Sequence, residues 1–368
     1  MGNRAKFNVF LFISTFAKAL IDAFISLFLF KSGFSIDSIL LFYLLENIFA
    51  LFASYLFVKI GERFNYSVVM CIGIVSFTVL QFALNCIVCS NLFIVIAALL
   101  YSFYRRGYWV ARRYYVTEVV PQRNSSGPFS IMMVVSEIAS ILAGLLGSSL
   151  LDGLNVLILT IISSVLLFIS IIPLLGIKDK TKGTKIELIK NLKKYDKRNC
   201  LAFSLYEINN LLAFIFPIFI AIYIKDTYMM AGAVNAVGGL AIIVFILVYG
   251  KILKKRNYFV AASTLFILIC FAKLLASDYL ILILCFAEGF VKKMQEQSVG
   301  KIYFENRNGM DLAHYNLIYQ ILEALARIIV VIPLMFMNDV RMMIMFVLVA
   351  ISVELMIYAC LKKNRRLS

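Results

Sequence analysis

Charge is scarce in this sequence: 15% of its 368 residues are Asp, Glu, Lys or Arg, where a soluble domain carries about a quarter. Hydrophobic residues make up 62%, so water is not the main solvent. Alternation of apolar and polar residues is also missing. A transmembrane barrel needs it, because its strands face lipid and lumen in turn. Helices remain as the spanning element, since lipid satisfies no backbone polar group. There is one histidine, His314, and the seven cysteines are scattered, mostly inside apolar runs. That usage points to reduced, packed thiols. Only Cys86 and Cys89 stand close, as a disulfide or half a metal site would need, and no second ligand pair accompanies them. No phosphate-cradling loop and no catalytic triad occur, so neither ATP hydrolysis nor an enzymatic role is read from this chain. No cofactor or metal is expected, and a separate ATPase partner stays open.

What the sequence has is apolar runs almost end to end. A hydrocarbon core roughly 30 Å thick needs about 20 such residues per helix. Spans are read at 7–30, 36–58, 66–86, 91–118, 127–151, 154–177, 200–224, 228–250, 257–276, 279–304, 312–337 and 340–361. The fold class is therefore all-α integral membrane protein with twelve transmembrane helices. The first run follows a short Arg4/Lys6 start and lacks a small-residue cleavage site, so it reads as a retained helix rather than a signal peptide. Pro217 and Pro333 fall inside spans and are expected to bend them.

The formal net charge of +16 would suit nucleic acid, but its placement excludes that partner. Of the 36 basic residues, 26 sit in segments on one side of the membrane and only Lys31, Lys225 and Arg341 in loops on the other. The positive-inside rule then puts both termini in the cytoplasm, in a multi-pass protein of the cell membrane. The segment 178–198 holds nine basic and three acidic residues. It reads as a cytoplasmic linker attracted to anionic headgroups, dividing a six-helix bundle at 1–177 from a second at 200–368, with the linker at 178–199.

The halves echo each other at an offset near 186. Arg105 and Arg106 match Lys292 and Lys293, Glu118 matches Glu305, and Glu137 matches Glu323. Polar turns follow, Gln122-Arg123-Asn124 and Asn306-Arg307-Asn308; separately, Asn65-Tyr66 matches Asn257-Tyr258. Many transporters are built from such repeats, with the substrate site at their interface near the midplane.

Charge inside a bilayer costs roughly 2.5–3.5 kcal/mol per residue on insertion scales, so each intramembrane ion needs a partner or a water-filled cavity. Arg105 and Arg106 project about 100° apart on a helix, so at least one is expected to leave the lipid face. Lys292 and Lys293 pose the same problem. Two readings stand side by side. In one, the two basic pairs meet at matching depth as an electropositive, anion-binding centre, with Phe103, Tyr104, Tyr108 and Trp109 as its aromatic wall and Asn210 on the seventh span. In the other they are structural ion pairs: Glu288, Lys292 and Glu296 neutralise one another at i, i+4, as do Glu323 and Arg327. Arg112 and Arg113 read as interfacial anchors. Asp22, Glu46, Glu137, Glu207 and Glu323 are candidates for carrying a proton, because a buried carboxylate can exchange a cation for a proton. Lys18 lies one turn from Asp22, and Asn209 beside Asn210.

Six plus six spans, cytoplasmic termini and a basic central loop resemble the major facilitator superfamily. The segment Ser54-Tyr55-Leu56-Phe57-Val58-Lys59-Ile60-Gly61-Glu62-Arg63, read as the loop between spans two and three, is similar to that family's inner-loop signature at Leu56, Lys59, Gly61 and Arg63. Ser54, Val58 and Glu62 depart from it, and Val58 removes the acidic residue that latches one state in the family. Gly250 to Arg256 occupies the corresponding place in the second half. Ala143-Gly144-Leu145-Leu146-Gly147-Ser148 faintly resembles the fifth-helix motif of family antiporters, although small residues there also let helices pack closely. The resemblance implies alternating access around a cavity lined by helices one, four, seven and ten. The expectation is a monomeric secondary transporter in the bilayer, proton-coupled, moving a small organic or phosphorylated anion. Its rivals are efflux of amphipathic compounds, flipping of a lipid-linked anionic headgroup, and a non-transporting membrane receptor or enzyme.

Overall fold

The computed structural model describes residues 2–86, 90–119, 126–153, 156–175, 177, 197–249, 258–305 and 312–367, and side chains at all of these except 117–119, 126–130, 197–198, 249, 278, 301–305, 312 and 362–367. Cys89, the segment 178–196, Gln122 to Asn124, Gly250 to Asn257 and Asn306 to Asn308 lie outside the described residues, as do the side chains of Glu118 and Glu305.

Apolar runs that must bond every backbone group internally form helices here, and among the described residues there are twelve spans. They are α1 (Asn3–Lys31), α2 (Ile36–Arg63), α3 (Tyr66–Asn85), α4 (Asn91–Val119), α5 (Ser126–Gly153), α6 (Val156–Leu175), α7 (Lys197–Tyr223), α8 (Tyr228–Val244), α9 (Phe259–Lys273), α10 (Asp278–Glu305), α11 (Leu312–Leu334) and α12 (Val340–Leu367). Nine are long and apolar enough to cross a bilayer. The other three are α9, which is short at 15 residues, and α4 and α10, whose apolar character is thinned by charge. Pro173, Pro217 and Pro333 lie within α6, α7 and α11.

Two expectations change. The family-like segment at 54–63 is not a loop, because α2 continues through Arg63; Gly61 there packs under the Tyr66 ring, whose hydroxyl donates to Glu62. The first span is not one continuous helix. It consists of Asn3–Ala19 and Ile25–Lys31, joined by a 3-10 turn at Asp22–Phe24. No glycine or proline marks the break. It lies against Gly147 of α5, where a Cβ would stand 2.5 Å from the Leu20 carbonyl oxygen, so only a residue without a side chain allows α5 this close.

The packing repeats. The pairs α1 with α5 and α6, α3 with α4 and α6, and α2 with α4 recur in the second half as α7 with α11 and α12, α9 with α10 and α12, and α8 with α10. The halves meet chiefly through α2 on α11 and α5 on α8, which are each other's counterparts in this scheme. Each half also carries a polar tie across three of its helices, through a different set of helices in each. Gln81 of α3 donates to Ser163 of α6, whose hydroxyl bonds the Ala17 carbonyl of α1; in the second half Asn209 of α7 donates to Gln295 of α10, which donates to Ser263 of α9. Buried amides and hydroxyls with no water to reach are satisfied across helices in this way.

Small residues set the closest crossings: Gly73 on Gly107 between α3 and α4, Gly232 on Gly144 and Ser148 between α8 and α5, and Gly289 on Gly238 between α10 and α8. A Cβ at Gly289 would overlap the Gly238 backbone, whereas one at Gly144 meets open space. Gly289→Ala is therefore expected to lower stability by about 1–3 kcal/mol, the cost of overpacking, and Gly144→Ala to leave it unchanged. Thermal unfolding of the two variants in one detergent checks this.

Candidate functional site

α4 carries the sequence Tyr101 to Arg113, dense in aromatic and basic residues. Gly107 seats it on α3, where a Cβ would stand 3.0 Å from the Gly73 Cα, and the helix also packs along α2 and touches α11. Arg106 and Arg113 are seven residues apart and share a face. Both reach Glu323 of α11, at 3.0 and 3.7 Å. Arg105 reaches the same carboxylate at 3.4 Å while its other terminal nitrogen bonds Glu46 of α2 at 3.1 Å. Arg327, one turn along α11, pairs with Glu323 at 3.2 Å and with Glu207 of α7 at 2.6 Å. Tyr319 and Asn210 donate to Glu207 at 2.8 and 3.3 Å. One carboxylate is thus shared by four guanidiniums, three of them from the other half of the molecule.

This hub is buried: Arg106 and Arg327 are 2% exposed, and Glu46 is fully enclosed. Four cations face three carboxylates. Among the described residues, Nε and Nη2 of Arg106 and Nε and Nη1 of Arg327 find no acceptor, and neither does the second oxygen of Glu46 find a donor. Aromatic rings take up part of the surplus charge. Phe214 lies 5.6 Å from Arg105 and 5.9 Å from Arg327, and Tyr319 lies 4.2 Å from Arg113. Beside the hub, Ser54 of α2 donates to Gln320 of α11 at 3.2 Å, so the residue that replaces a family glycine bonds the two halves together.

The second basic pair does not join this hub. Lys293 pairs with Glu296 at 2.8 Å, and Lys292 has no carboxylate within 4 Å among the described residues. Glu137 of α5, which corresponds to Glu323, has Lys293, Glu296, Arg112 and Lys292 as its electrostatic neighbours. Each repeat therefore sets its carboxylate against the basic pair of the other. The expected common centre of Arg105, Arg106, Lys292 and Lys293 is replaced by two mixed clusters, because like charges placed together in a low dielectric repel more than they attract one ligand. The expected ladder of Glu288, Lys292 and Glu296 is likewise not formed. Glu288 bonds Lys273 of α9 at 2.6 Å, and Lys273 also sits 3.8 Å over the Phe216 ring. Glu323 and Arg327 pair as expected.

Asp22, at the break in α1, accepts from the hydroxyls of Tyr101 and Tyr104 at 3.0 and 3.2 Å. Lys18 lies over Tyr108 and Trp109 at 4.5 and 5.2 Å. Of the two residues read as interfacial anchors, Arg113 reaches the hub and Arg112 lies 4.7 Å from Trp109. Sequence reasoning missed Arg113 and the pair of Lys273 with Glu288. The i, i+7 spacing of Arg106 and Arg113 carried the first signal, whereas nothing local links residues 273 and 288. His314 is buried in the first turns of α11, and no group of three metal-ligating residues gathers among the described residues.

A different set of contacts closes one end of the interface. Lys31 of α1 pairs with Asp226 at 3.1 Å, and Phe24 packs edge-on against Tyr228. Asp152, at the end of α5, accepts from the backbone N–H groups of Tyr228 and Met229 at 3.2 and 2.8 Å. A carboxylate from one half thereby caps the first turn of α8 in the other.

A family model described as Major Facilitator Superfamily matches residues 8–327. Two solved structures share the fold. One is a bacterial homologue of the iron transporter ferroportin in an outward-facing state, at TM-score 0.71 and 8% identity, covering 99% of this chain and 100% of that one. The other is a mutant of the nucleoside transporter NupG, at TM-score 0.67 and 14% identity, covering 98% and 99%. No curated protein matches the sequence.

Removing one member of a buried ion cluster strands the others, at a cost of about 3–5 kcal/mol. Glu323→Gln is expected to destabilise by that order, since four guanidiniums lose their shared partner. The double variant Glu323→Gln with Arg106→Gln should recover part of the loss. Thermal unfolding of the single and double variants decides it, and a Glu323→Gln protein as stable as the parent would contradict the shared-carboxylate geometry.

Proposed function

The chain belongs to the major facilitator superfamily and is a membrane transporter, and on that premise we propose that it is a proton-coupled secondary carrier of a small organic or phosphorylated anion, working as a monomer with both termini in the cytoplasm. The bundles are taken as 1–177 and 200–368, with 178–199 as the linker. The observation that supports an anionic substrate is the surplus of donors in the hub: Arg106 and Arg327, both 2% exposed, each keep two nitrogens without an acceptor among the described residues. A guanidinium offers planar, paired donors that fit a carboxylate or a phosphate. An oxyanion arriving at Arg327 competes with Glu207 for it. A carboxylate released from its cation in a low-dielectric interior is neutralised by a proton, which couples substrate to proton through one arginine. Asp22, Glu46 and Glu137 are further candidates for the proton, with Asp22 held among the described residues by the hydroxyls of Tyr101 and Tyr104. Tyr104, Tyr108, Trp109 and Asn210, with Lys292 and Lys293, complete the proposed substrate-binding set.

The test is flux into liposomes holding the full chain, with inorganic phosphate, a hexose phosphate and succinate as probes, choline as the cationic control, and a pH gradient on or off. At least one anion should move, faster with the gradient. Neutralising Arg105 and Arg106 together should abolish that flux while cooperative thermal unfolding is kept. Unchanged flux in the double variant removes the two arginines from the mechanism, and flux of choline or of an amphipathic dye instead of any anion overturns the substrate class.

A further inference from the structure

Of the basic side chains buried between the helices, the arginines of the hub are all tied to carboxylates, and Lys273 and Lys293 have their own. Lys292 has none within 4 Å among the described residues, and two neighbours on α1 and α4 share that condition. Lys18 of α1 and Arg112 of α4 have no carboxylate within 4 Å among the described residues. Both are held instead by one indole: the Lys18 ammonium lies 5.2 Å and the Arg112 guanidinium 4.7 Å from the Trp109 ring. Tyr108 backs the lysine at 4.5 Å, and Ser136 of α5 accepts from Arg112 at 3.5 Å. All three of Lys18, Trp109 and Arg112 are partly exposed rather than sealed in.

Two cations touching one ring stand within roughly 10 Å of each other, about one Debye length at physiological salt, so they repel unless an anion lies near both. Cation–π contacts return about 0.5–2 kcal/mol each and do not neutralise charge. One internal competitor is Glu137, an electrostatic neighbour of Arg112 that is also drawn to Lys293 and Lys292. The position of the pair follows from the fold. Lys18 stands in the last turn of the first α1 helix, just before the break, and Arg112 stands two turns from Arg105 on α4, where it also reaches α5 through Ser136.

We propose that Lys18, Arg112 and the Trp109 face between them form an oxyanion subsite, taking a carboxylate or phosphate group, distinct from the arginine hub. It rests on the carrier reading, and assigns the first anchoring of substrate to cations that need not break an ion pair to bind. Arg112 supplies a planar fork and Lys18 a mobile point charge, while the indole holds both side chains extended toward the ligand.

Trp109 is the only tryptophan in the sequence, so its emission reports this site without a label. The full chain in lipid nanodiscs is titrated with inorganic phosphate and with succinate, choline chloride serving as the ionic-strength control. A saturable change in emission is expected with at least one anion and none with choline. Lys18→Gln and Arg112→Gln should each weaken it at least about tenfold, the lower end for a lost charge-assisted contact. Arg341→Gln, at the exposed Asp339 corner, should leave it unchanged. Arg112→Lys keeps the charge without the fork; it should retain weakened binding and guards against a variant that fails to fold. Anion flux that persists in both Gln variants while Trp109 stays silent overturns the subsite and leaves the carrier reading standing. A silent Trp109 in a protein that moves no anion removes both.

Discussion

A charge inside a membrane protein has to be neutralised by something other than water, and here that requirement is met across the seam between the two halves. Glu323 comes from α11, while three of its four guanidinium partners come from α4. Because neither side can satisfy its own charge, the halves are held at this level by mutual need rather than by apolar area, which gives helices little net attraction in lipid. The rest of the interface is arranged to permit that contact. α2 and α11 meet beside the hub with a Ser54–Gln320 bond, and α5 and α8 meet where Gly232 lies against Ser148 and the Gly144 carbonyl, with no room for a side chain at 232.

The symmetry of the charges carries more meaning than their number. Duplication would copy a basic pair and a downstream carboxylate into each half, and simple superposition of like on like suggests that the two basic pairs meet. A two-fold relation between the halves does the opposite. It brings α4 to α11 and α5 to α10, so the carboxylate of one repeat lands on the cations of the other: Glu323 among Arg105, Arg106 and Arg113, and Glu137 near Lys292 and Lys293. The copies have since diverged in strength. The α4 side is a tight arginine cluster, while the α10 side is looser, its Lys293 tied to a neighbour on its own helix.

Much of this could be read in the sequence, and the boundary of legibility has a physical cause. Span number and approximate ends follow from runs of apolar residues, since burial in lipid is a local property of composition. The importance of α4 and α10 was visible because Arg105, Arg106, Lys292 and Lys293 cost too much in lipid to stand there idle. The pair Glu323 and Arg327 followed from i, i+4 spacing. What could not be read was any pairing between distant positions. Glu288 was assigned to Lys292 on its own helix, yet it bonds Lys273, 15 residues away on α9. The contact of Arg113 with Glu323 could not be read either, because the two residues lie on different helices far apart in the chain. The break in α1 left no trace, because no glycine or proline marks it and its closest neighbour, Gly147, lies on another helix.

On the anion-carrier reading proposed above, the two kinds of cation between the helices would have different parts. Arginines already bound to carboxylates change partner only when an incoming anion offers at least as much as the glutamate it displaces, so they respond to substrate by rearranging and sit where rearrangement loosens the seam. Cations held only by an aromatic face give up little when an anion arrives, so they suit capture. Separating the two lets binding come before the hub is disturbed, and the hub, once disturbed, acts on α2 and α11 together because Glu323 and Glu46 belong to opposite halves and share Arg105. At the Lys31 end, the Asp152 cap on α8 is a neutral-to-charged hydrogen bond network of ordinary strength, far weaker than a buried cluster of seven charges. On the same reading, a change of state that trades one end for the other would be governed by the hub, and a ligand competing for Arg106 or Arg327 would act on the interface between the halves.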